Sequence, residues 1–247
     1  MAIRWLSQKL VFPSPELADR DGVVAVGGDC SIPRLLLAYR SGIFPWPMDD
    51  DLPLFWFSPD PRWVVVPRAA HVPKSLRKQM RRGVYEVRTD TNFAGVIAGC
   101  ASVYRPTQQS TWITDEMRMS YEALHHEGYA HSIEAWRDGA LVGGLYGVSL
   151  GGVFFGESMF ALEPDASKVA FATLVGNLIH WGFHFVDCQT KTDHLQRFGS
   201  VPWSRRNFLK ALEKALEMPT RQGRWRFDLT PAEAEKVIPR DHESDAS

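Results

Sequence analysis

Two carboxylic acids of this sequence lie in surroundings where an acid is costly. Asp187 belongs to the run FVDCQ at residues 185–189, and Glu157 belongs to FFGESMF at residues 154–160. Burying a carboxylate costs free energy unless the group is paired or used. In a strand, side chains two residues apart share a face, so Asp187 and Gln189 would point the same way. The pattern predicts either two structural acids satisfied by cations or backbone donors, or a reactive group with Gln189 beside it.

A basic segment is the clearest electrostatic feature. Residues 62–88 contain eight Arg or Lys and a single acid, Glu86. The spacing predicts a helix over residues 72–82 that ends at Gly83, with Val72, Leu76 and Met80 on its apolar face. Five cations recur on the opposite face: Lys74, Arg77, Lys78, Arg81 and Arg82. Phosphates of a nucleic acid are the usual partner for such a face, and a solvated surface helix is the alternative.

Aromatic residues form a third group. They lie in FPW at residues 44–46, in FWF at residues 55–57, and at Trp112. Such rings can stack on bases of any sequence. They pack equally well in a core, which is the better interpretation for most of them.

Composition limits the classes of protein that fit. The 247 residues are 45% hydrophobic and 23% charged, with a net charge of −1, which excludes a disordered chain and argues against a dedicated DNA-binding protein.

The three cysteines are far apart, which predicts a reducing compartment without disulfides or a cysteine zinc site. No histidine pair has convincing ligand spacing, so we expect no metal. Two uncharged stretches of 18 residues, 139–156 and 169–186, are interpreted as buried elements, not membrane spans.

The order of elements predicts an α+β fold in three parts. Residues 1–62 form a small module rich in loops, prolines and aromatic residues. Residues 63–220 follow with three meandering strands, a helix, a further strand and a last helix. Residues 221–247 form an acidic tail, expected to fray after Asp228.

Several spaced motifs together resemble the leucyl/phenylalanyl-tRNA–protein transferases. The resemblance runs in order from about residue 5 to residue 218. The motifs that carry it are VGGD at 26–29, GIFPW at 42–46, FSP at 57–59, TWI at 111–113, LYGV at 145–148, FGESMF at 155–160 and FVDCQ at 185–189.

The resemblance implies a function and a fold. Members take leucine or phenylalanine from aminoacyl-tRNA and attach it to the N-terminal amine of proteins that begin with Arg or Lys, which marks them for degradation by the N-degron pathway. It implies a small N-terminal domain followed by an acetyltransferase-like (GNAT) domain with a mainly antiparallel sheet. We therefore expect a cytoplasmic monomer without cofactor, membrane contact or DNA partner, and with methionine as a further possible donor amino acid.

The resemblance also assigns roles to single residues. Asp187, Gln189 and Glu157 match the reaction centre. Six further residues match the surroundings of the aminoacyl-adenosine: Tyr39, Trp46, Trp112, Leu145, Phe154 and Val186. Leu145 departs from the methionine common at that position of the family, which alters the expected pocket shape.

Two other functions fit parts of the pattern. An acyl-CoA-dependent N-acetyltransferase shares the expected fold, but the segment ALEPDAS at residues 161–167 lacks the glycines of a pyrophosphate loop and carries two acids. A non-catalytic RNA-binding module would use the basic helix, but would not need Asp187, Gln189 and Glu157 beside an apolar pocket.

Overall fold

A computed structural model describes residues 4–47, 52–102 and 113–240. Within them lie eleven strands: β1 (Trp5–Leu6), β2 (Val23–Gly27), β3 (Phe44–Trp46), β4 (Phe55–Phe57), β5 (Arg62–Val65), β6 (Glu86–Thr89), β7 (Ala130–Arg137), β8 (Ala140–Leu150), β9 (Val153–Ala161), β10 (Phe185–Asp187) and β11 (Val201–Trp203). The helices are α1 (Ile32–Arg40), α2 (Lys74–Arg82), α3 (Phe93–Ser102), α4 (Asp115–His126), α5 (Ala166–Trp181), α6 (Asp193–Gln196), α7 (Arg205–Leu216) and α8 (Pro231–Val237).

The strands form two sheets, and the predicted α+β class is confirmed. Strands of residues 5–57 make a four-stranded sheet in the order β1-β2-β4-β3. Strands of residues 62–203 make a seven-stranded sheet in the order β11-β5-β10-β9-β8-β7-β6. In this larger sheet β10 runs parallel to β9, and the other neighbours are antiparallel.

The long helix α5 makes the crossover that the parallel pair requires. It connects β9 to β10 and is buried along almost its whole length. Its sequence is apolar on every side, which is typical of a helix covered all round. Gly176 admits the backbone of Ala234, because a Cβ at Gly176 would lie 2.5 Å from the Ala234 Cβ.

The larger sheet separates two apolar cores. The alternation of strand side chains sends Phe155 into one core and Phe154 into the other. The first core contains residues of α1, α3 and α4, and the second contains residues of α2 and α5. Among the described residues, none of the helices has both the length and the apolar character needed to cross a bilayer.

The C-terminal segment corrects one prediction. The chain does not fray after Asp228, since α8 packs on α5 and α2 and is capped by a reciprocal pair between Thr230 and Glu233. The buried Asn177 side chain accepts hydrogen bonds from the backbone N–H groups of Asp228 and Leu229, at 3.0 Å each. Ala234 and Ile238 add apolar burial that the acidic composition conceals.

The element predictions were accurate in the middle of the chain and incomplete elsewhere. Turn and capping signals predict meander strands at 131–137, 140–149 and 153–160 and further helices at 31–40, 114–127, 165–182 and 204–218. The observed strands β7 to β9 and helices α1, α4, α5 and α7 lie within one or two residues of these positions. The basic helix begins at Lys74 instead of residue 72, because Pro73 is its N-cap. The sequence signals do not predict helices α3, α6 and α8.

Candidate active site

A cavity of about 440 Å³ opens where β9 and β10 part. The parallel pairing of these strands ends at Phe155 and Asp187, and the chain beyond each strand forms a wall. The cavity is lined by Trp46, Leu145, Tyr146, residues 156–161, Ser167, Phe171, residues 186–190, Thr192, His194 and Leu195. A separated parallel strand pair thus leaves room for a ligand at the carboxyl ends of both strands.

Glu157 occupies a bulge at the polar end of the cavity. Tyr146 pairs with Ser158 and Gly147 pairs with Gly156, so Glu157 is the extra residue between them. A bulge re-aims a side chain out of the regular alternation. The Glu157 carboxyl lies partly buried at the cavity wall as a result.

Two tyrosines hold the Glu157 carboxyl from inside the protein. The Tyr39 hydroxyl lies 2.8 Å from Oε1, and the Tyr121 hydroxyl lies 2.8 Å from Oε2. The two hydroxyl oxygens lie 2.6 Å from each other. Removal from solvent outweighs these hydrogen bonds and raises the pKa of Glu157 to about 7.

Asp187 is neutralised in a different way. It is wholly buried, and Arg62 donates to both of its carboxylate oxygens, from Nε to Oδ1 at 2.8 Å and from Nη2 to Oδ2 at 2.6 Å. The guanidinium lies 4.6 Å from the ring centres of both Phe44 and Phe208. Such a bidentate, stacked site fixes both partners in one orientation.

Gln189 connects the two acids, although not as strand alternation predicts. The strand ends at Asp187, and Gln189 adopts a left-handed backbone conformation with φ of 55°. Its backbone N–H donates to Asp187 Oδ1 at 2.9 Å, and its side-chain Nε2 lies 3.5 Å from Glu157 Oε1. Asp187 therefore fixes the turn that carries the Gln189 amide into the cavity.

Apolar side chains form a large part of the remaining cavity lining. Leu145, Met159, Phe171 and Val186 contribute to its wall. Cys188 also lines it, and burial raises the pKa of its thiol, so the thiol stays protonated. Apolar walls with a few polar groups at one end are typical of a small-ligand site.

The structure brings most of the residues predicted from sequence to this cavity. Asp187, Gln189 and Glu157 meet at one end, and Trp46, Leu145 and Val186 also line the walls. Trp112 lies outside the described residues.

Two of the predicted contact residues do not line the cavity. Tyr39 is fully buried and reaches the site only through Glu157. Phe154 is fully buried in the core cluster that contains Leu145 and Val186, with its ring 5.9 Å from that of Trp225. Neither side chain is placed to touch a ligand directly.

The basic helix α2 requires a correction. Arg77 is buried, and it donates to the carbonyl oxygens of Val72, Ile238 and Pro239 and to Glu235. Arg81 also pairs with Glu235, at 2.9 Å. Arg77 therefore anchors the C-terminal segment and is not available to a phosphate.

The outer face of α2 remains cationic. The side chains of Lys74, Lys78 and Arg82 are exposed, as is about half of Arg81. Arg62, counted with this basic segment in the sequence, belongs to the Asp187 pair. The cationic surface is therefore smaller than the sequence predicted.

Sequence reasoning missed several residues of the site. Arg62 was grouped with the surface cations, although its place before the apolar run WVVVP is a signal of a buried arginine that needs an acid. The spacing of Tyr121 with Met117 and Leu124 predicts only the apolar face of a helix. Met159 and Phe171 line the cavity, but nothing in their local pattern separates them from core residues.

Among the described residues, no group of three His, Cys, Asp or Glu side chains is placed to hold a metal ion. The side chains that line the cavity offer hydrogen bonding, charge and shape. A cavity lined by an acid, an amide and apolar side chains suits the positioning of an acyl group beside a nucleophile.

Comparison with known proteins decides the family. The profile described as leucyl/phenylalanyl-tRNA protein transferase matches residues 64–213, and that of the N-terminal domain of the same family matches residues 28–60. The chain belongs to this family. It is an aminoacyltransferase.

Three curated relatives named leucyl/phenylalanyl-tRNA–protein transferase illustrate the similarity. The Myxococcus xanthus protein is 59% identical over 87% of this chain and 92% of its own length. The Oleidesulfovibrio alaskensis protein is 54% identical over 90% of this chain and 91% of its own. The Anaeromyxobacter protein of strain Fw109-5 is 53% identical over 92% of this chain and 97% of its own.

Proposed function

We propose that the cavity beside Glu157, Asp187 and Gln189 is where this enzyme joins an amino acid to a protein. The enzyme moves leucine or phenylalanine from aminoacyl-tRNA to the N-terminus of an acceptor protein. The observation that carries the placement is one cavity lined both by the linked acid and amide of Glu157 and Gln189 and by apolar side chains.

The apolar end takes the side chain of the donated amino acid. Leu145, Met159, Phe171 and Val186 offer no fixed charge, so apolar side chains without branching at Cβ fit. Pockets of this kind separate neighbouring side chains by only about 1–3 kcal/mol. Leucine, phenylalanine and methionine are accepted, and valine and isoleucine react more slowly, because branching at Cβ collides with walls shaped for a methylene.

Aromatic side chains near the entrance bind the terminal adenosine of the tRNA. Trp46 lines the cavity and offers a stacking face, and Trp112 is proposed to act with it. Tyr39 does not contact the adenosine directly; it holds the Glu157 carboxyl in position.

Positioning supplies most of the rate acceleration. The donor ester is already activated, and an α-amine with a pKa of about 8 is partly neutral at neutral pH. Orientation can contribute roughly 7–11 kcal/mol, against about 3–5 kcal/mol for a general base. Gln189 orients the attacking amine or the ester carbonyl, and Asp187 holds Gln189.

The proton route follows from the pairing of Asp187. Both of its oxygens accept from Arg62, so support for Asp187 as the proton acceptor of a relay is weak. We favour the ribose hydroxyl of the tRNA as the shuttle: the amine nitrogen bonds to the acyl carbon, the ester C–O bond breaks, and the amine proton passes to the departing ribose oxygen.

The acceptor begins with Arg or Lys. Glu157 is the acid at the cavity wall whose neighbours are neutral tyrosines and an amide instead of a paired cation. A cationic first residue is therefore the complementary partner. Acceptors marked in this way enter the N-degron pathway of degradation.

The tRNA acceptor stem lies against the outer face of α2. Lys74, Lys78 and Arg82, with the exposed part of Arg81, are free to contact phosphates.

We further propose an acetyltransferase-like (GNAT) fold for residues 63–220, a small N-terminal domain over residues 1–62, and a cytoplasmic monomer that needs no cofactor.

The decisive experiment is transfer of labelled leucine from charged tRNA to a peptide that begins with Arg. A peptide that begins with Glu is the matched control for the acceptor. Transfer to the Arg peptide that is lost in Gln189→Ala, with aminoacyl-tRNA binding retained, supports the proposal. Equal transfer to both peptides would contradict the acceptor preference, and unchanged transfer by Gln189→Ala would contradict the placement of the reaction.

An acyl-CoA-dependent acetyltransferase is the alternative within the expected fold. The position that a pyrophosphate would take at the start of α5 is held by Asp165, whose carboxylate accepts from Lys168 and from Gln79. These hydrogen bonds, the Lys168 contact first, lower the pKa of Asp165, so the group is an anion. Binding of coenzyme A would overturn this exclusion.

A non-catalytic RNA-binding module is the other alternative. It would bind tRNA without any transfer of an amino acid to the peptide.

A further inference from the structure

The hydroxyl and carboxyl groups around Glu157 form a closed ring. Tyr39 contacts Oε1, Tyr121 contacts Oε2, and the two hydroxyl oxygens contact each other, at 2.8, 2.8 and 2.6 Å. All three separations are hydrogen-bond distances. Three contacts between oxygen atoms therefore need three protons.

The two tyrosines supply only two of these protons. Each phenol has a single O–H, and an ionised carboxylate accepts but cannot donate. Burial raises the pKa of Tyr39 and of Tyr121 well above 10, so both phenols stay protonated. With an ionised Glu157, one contact of the ring would bring two oxygen atoms together without a hydrogen between them.

A proton on Glu157 completes the ring. The carboxyl O–H then donates to one tyrosine, that tyrosine donates to the other, and the second tyrosine donates back to the remaining carboxyl oxygen. The Gln189 amide approaches Oε1 at 3.5 Å from outside this ring and can fill none of the three contacts.

We propose that Glu157 carries a proton in the empty cavity, shared in a closed ring with Tyr39 and Tyr121, and that binding of the cationic acceptor terminus opens the ring and releases this proton. Tyr39 and Tyr121 are thus positioning residues that act through Glu157. The release of the proton rests on the proposed Arg or Lys acceptor, whereas the protonated ring depends only on the enzyme without substrate.

The groups around Glu157 agree with a neutral resting state. Besides the two tyrosines of α1 and α4, it faces Asp187 of β10 and Arg62 of β5, whose opposite effects on its pKa are secondary to burial. Tyr146 of β8 adds a further phenol near the two tyrosines. Because Arg62 neutralises Asp187, an acceptor cation finds its counter-charge by ionising Glu157.

Difference infrared spectroscopy tests the resting state. A protonated carboxyl has a carbonyl-stretch band that a carboxylate lacks. At pH 6 the spectrum of the wild type minus that of Glu157→Gln is expected to contain this band, and raising the pH through about 7 is expected to remove it. Absence of the band at pH 6 overturns the proposal. The control variant is Glu122→Gln, which removes the carboxyl next to Tyr121 on α4. Its spectrum is expected to keep the Glu157 band.

The tyrosines are tested through the same band. Tyr39→Phe and Tyr121→Phe each remove one oxygen from the ring, so each is expected to shift the frequency of the Glu157 band. A merely structural role would leave the band unmoved, which overturns the ring. The two variants are independent, and the amide bands of the same spectra report whether each is folded.

Proton release tests the second half. Calorimetric titration of an Arg-starting peptide at pH 6, in two buffers of different ionisation enthalpy, counts protons released on binding. We expect about one proton more from the wild type than from Glu157→Gln, because a bound cation favours the carboxylate. Equal release by both proteins overturns the coupling. A wild-type enzyme that neither binds nor uses the peptide contradicts the proposed acceptor instead, and the resting band still tests the ring.

Discussion

Two buried arginine–carboxylate pairs lie in different parts of this enzyme. Arg62 and Asp187 form one at the cavity, with a closest approach of 2.6 Å and almost no exposure. Arg77 and Glu235 form the other between α2 and α8, with a separation of 3.4 Å. Both pairs are closed to solvent, and both arginines looked like surface cations in the sequence.

The pairs differ in what else the carboxylate holds. Asp187 also accepts the backbone N–H of Gln189, whose amide enters the cavity. Glu235 also accepts Arg81, and Arg77 donates to carbonyl groups of the C-terminal segment. Burial of an ion pair therefore does not by itself distinguish the two pairs; the difference is that Asp187 is connected to a group that lines the cavity.

Arg62→Met should have the largest effect. It leaves Asp187 buried without a counter-charge, for which we expect a loss of about 3–5 kcal/mol in the free energy of unfolding. The transfer rate should also fall, because the Gln189 turn loses its fixed support. Denaturant unfolding and single-turnover kinetics measure the two effects.

The double variant Arg62→Met, Asp187→Asn is the control for Arg62→Met. It removes the unpaired charge, so part of the lost stability should return while the rate stays low. Wild-type stability of Arg62→Met would show that the pair is not the buried contact described.

Arg77→Met should destabilise the protein by a similar amount without affecting the reaction. It leaves Glu235 with the half-exposed Arg81 and the more exposed Arg240 nearby, and it frees the carbonyl groups of the C-terminal segment. We expect the free energy of unfolding to fall by roughly 3 kcal/mol, which is at the lower end of the range for a broken buried ion pair. The single-turnover rate per folded molecule should be unchanged.

Lys78→Met is the matched substitution on the same helix, at an exposed position. Its unfolding free energy should stay near that of the wild type. If Arg77→Met slowed the transfer step as strongly as Arg62→Met, the distinction between the two pairs would fail.

Asp187→Asn should lower the single-turnover rate about 10²-fold, because small displacements of a positioning group cost that much. The affinity for aminoacyl-tRNA should be nearly unchanged, since Asp187 is wholly buried and is not part of the outer surface. The matched variant is Glu235→Gln in the other pair, which should keep the wild-type rate. A wild-type rate for Asp187→Asn would remove Asp187 from the reaction.

Local signals predicted the central fold well. Asp138-Gly139 is a hairpin signal, Thr114 and Ser204 are helix-capping residues, and Gly182 is a helix-ending one; the structure has an element end at each of them. Helix α8 also begins with a local signal, the capping pair Thr230 and Glu233, but its burial beside Arg77 joins residues more than 150 positions apart. Contacts of that kind leave no local pattern.

The site was only partly readable for the same reason. Period-two alternation predicts Asp187 and Gln189 on one strand face, but the strand ends at Asp187. The left-handed turn at Gln189 and the bulge at Glu157 determine where the side chains of these two residues lie. The partners Arg62 and Tyr121 come from other elements. Sequence identifies the groups that need a partner, and the tertiary fold selects the partner.

Glu157→Gln should change the pH dependence of stability. The pKa of Glu157 is raised in the folded state to about 7 from an ordinary value of 4.5. The stability that the neutral carboxyl contributes is therefore fully present below about pH 4.5 and is lost as the pH rises through about 7. Relative to Glu157→Gln, the wild type should lose roughly 2 kcal/mol between pH 4 and pH 8, less than the full shift implies because the carboxyl is partly exposed to the cavity.

Unfolding curves of both proteins at a series of pH values measure this difference. A constant difference in stability between wild type and Glu157→Gln across this range would mean that folding does not raise the pKa of Glu157.

Lys78→Ala should have the smallest effect and should separate the outer face of α2 from its inner face. Lys78 is exposed, whereas its neighbour Arg77 is buried against the C-terminal segment. Losing one phosphate contact should weaken binding of all tRNAs similarly and reduce the salt slope of binding by about one unit.

Measurements of tRNA binding over a range of salt concentrations give this slope. The control variant is Lys236→Ala, which removes another exposed lysine, on α8. An unchanged slope for Lys78→Ala would place the tRNA on a different surface, and a loss confined to one tRNA would mean that this lysine reads a base instead of a phosphate.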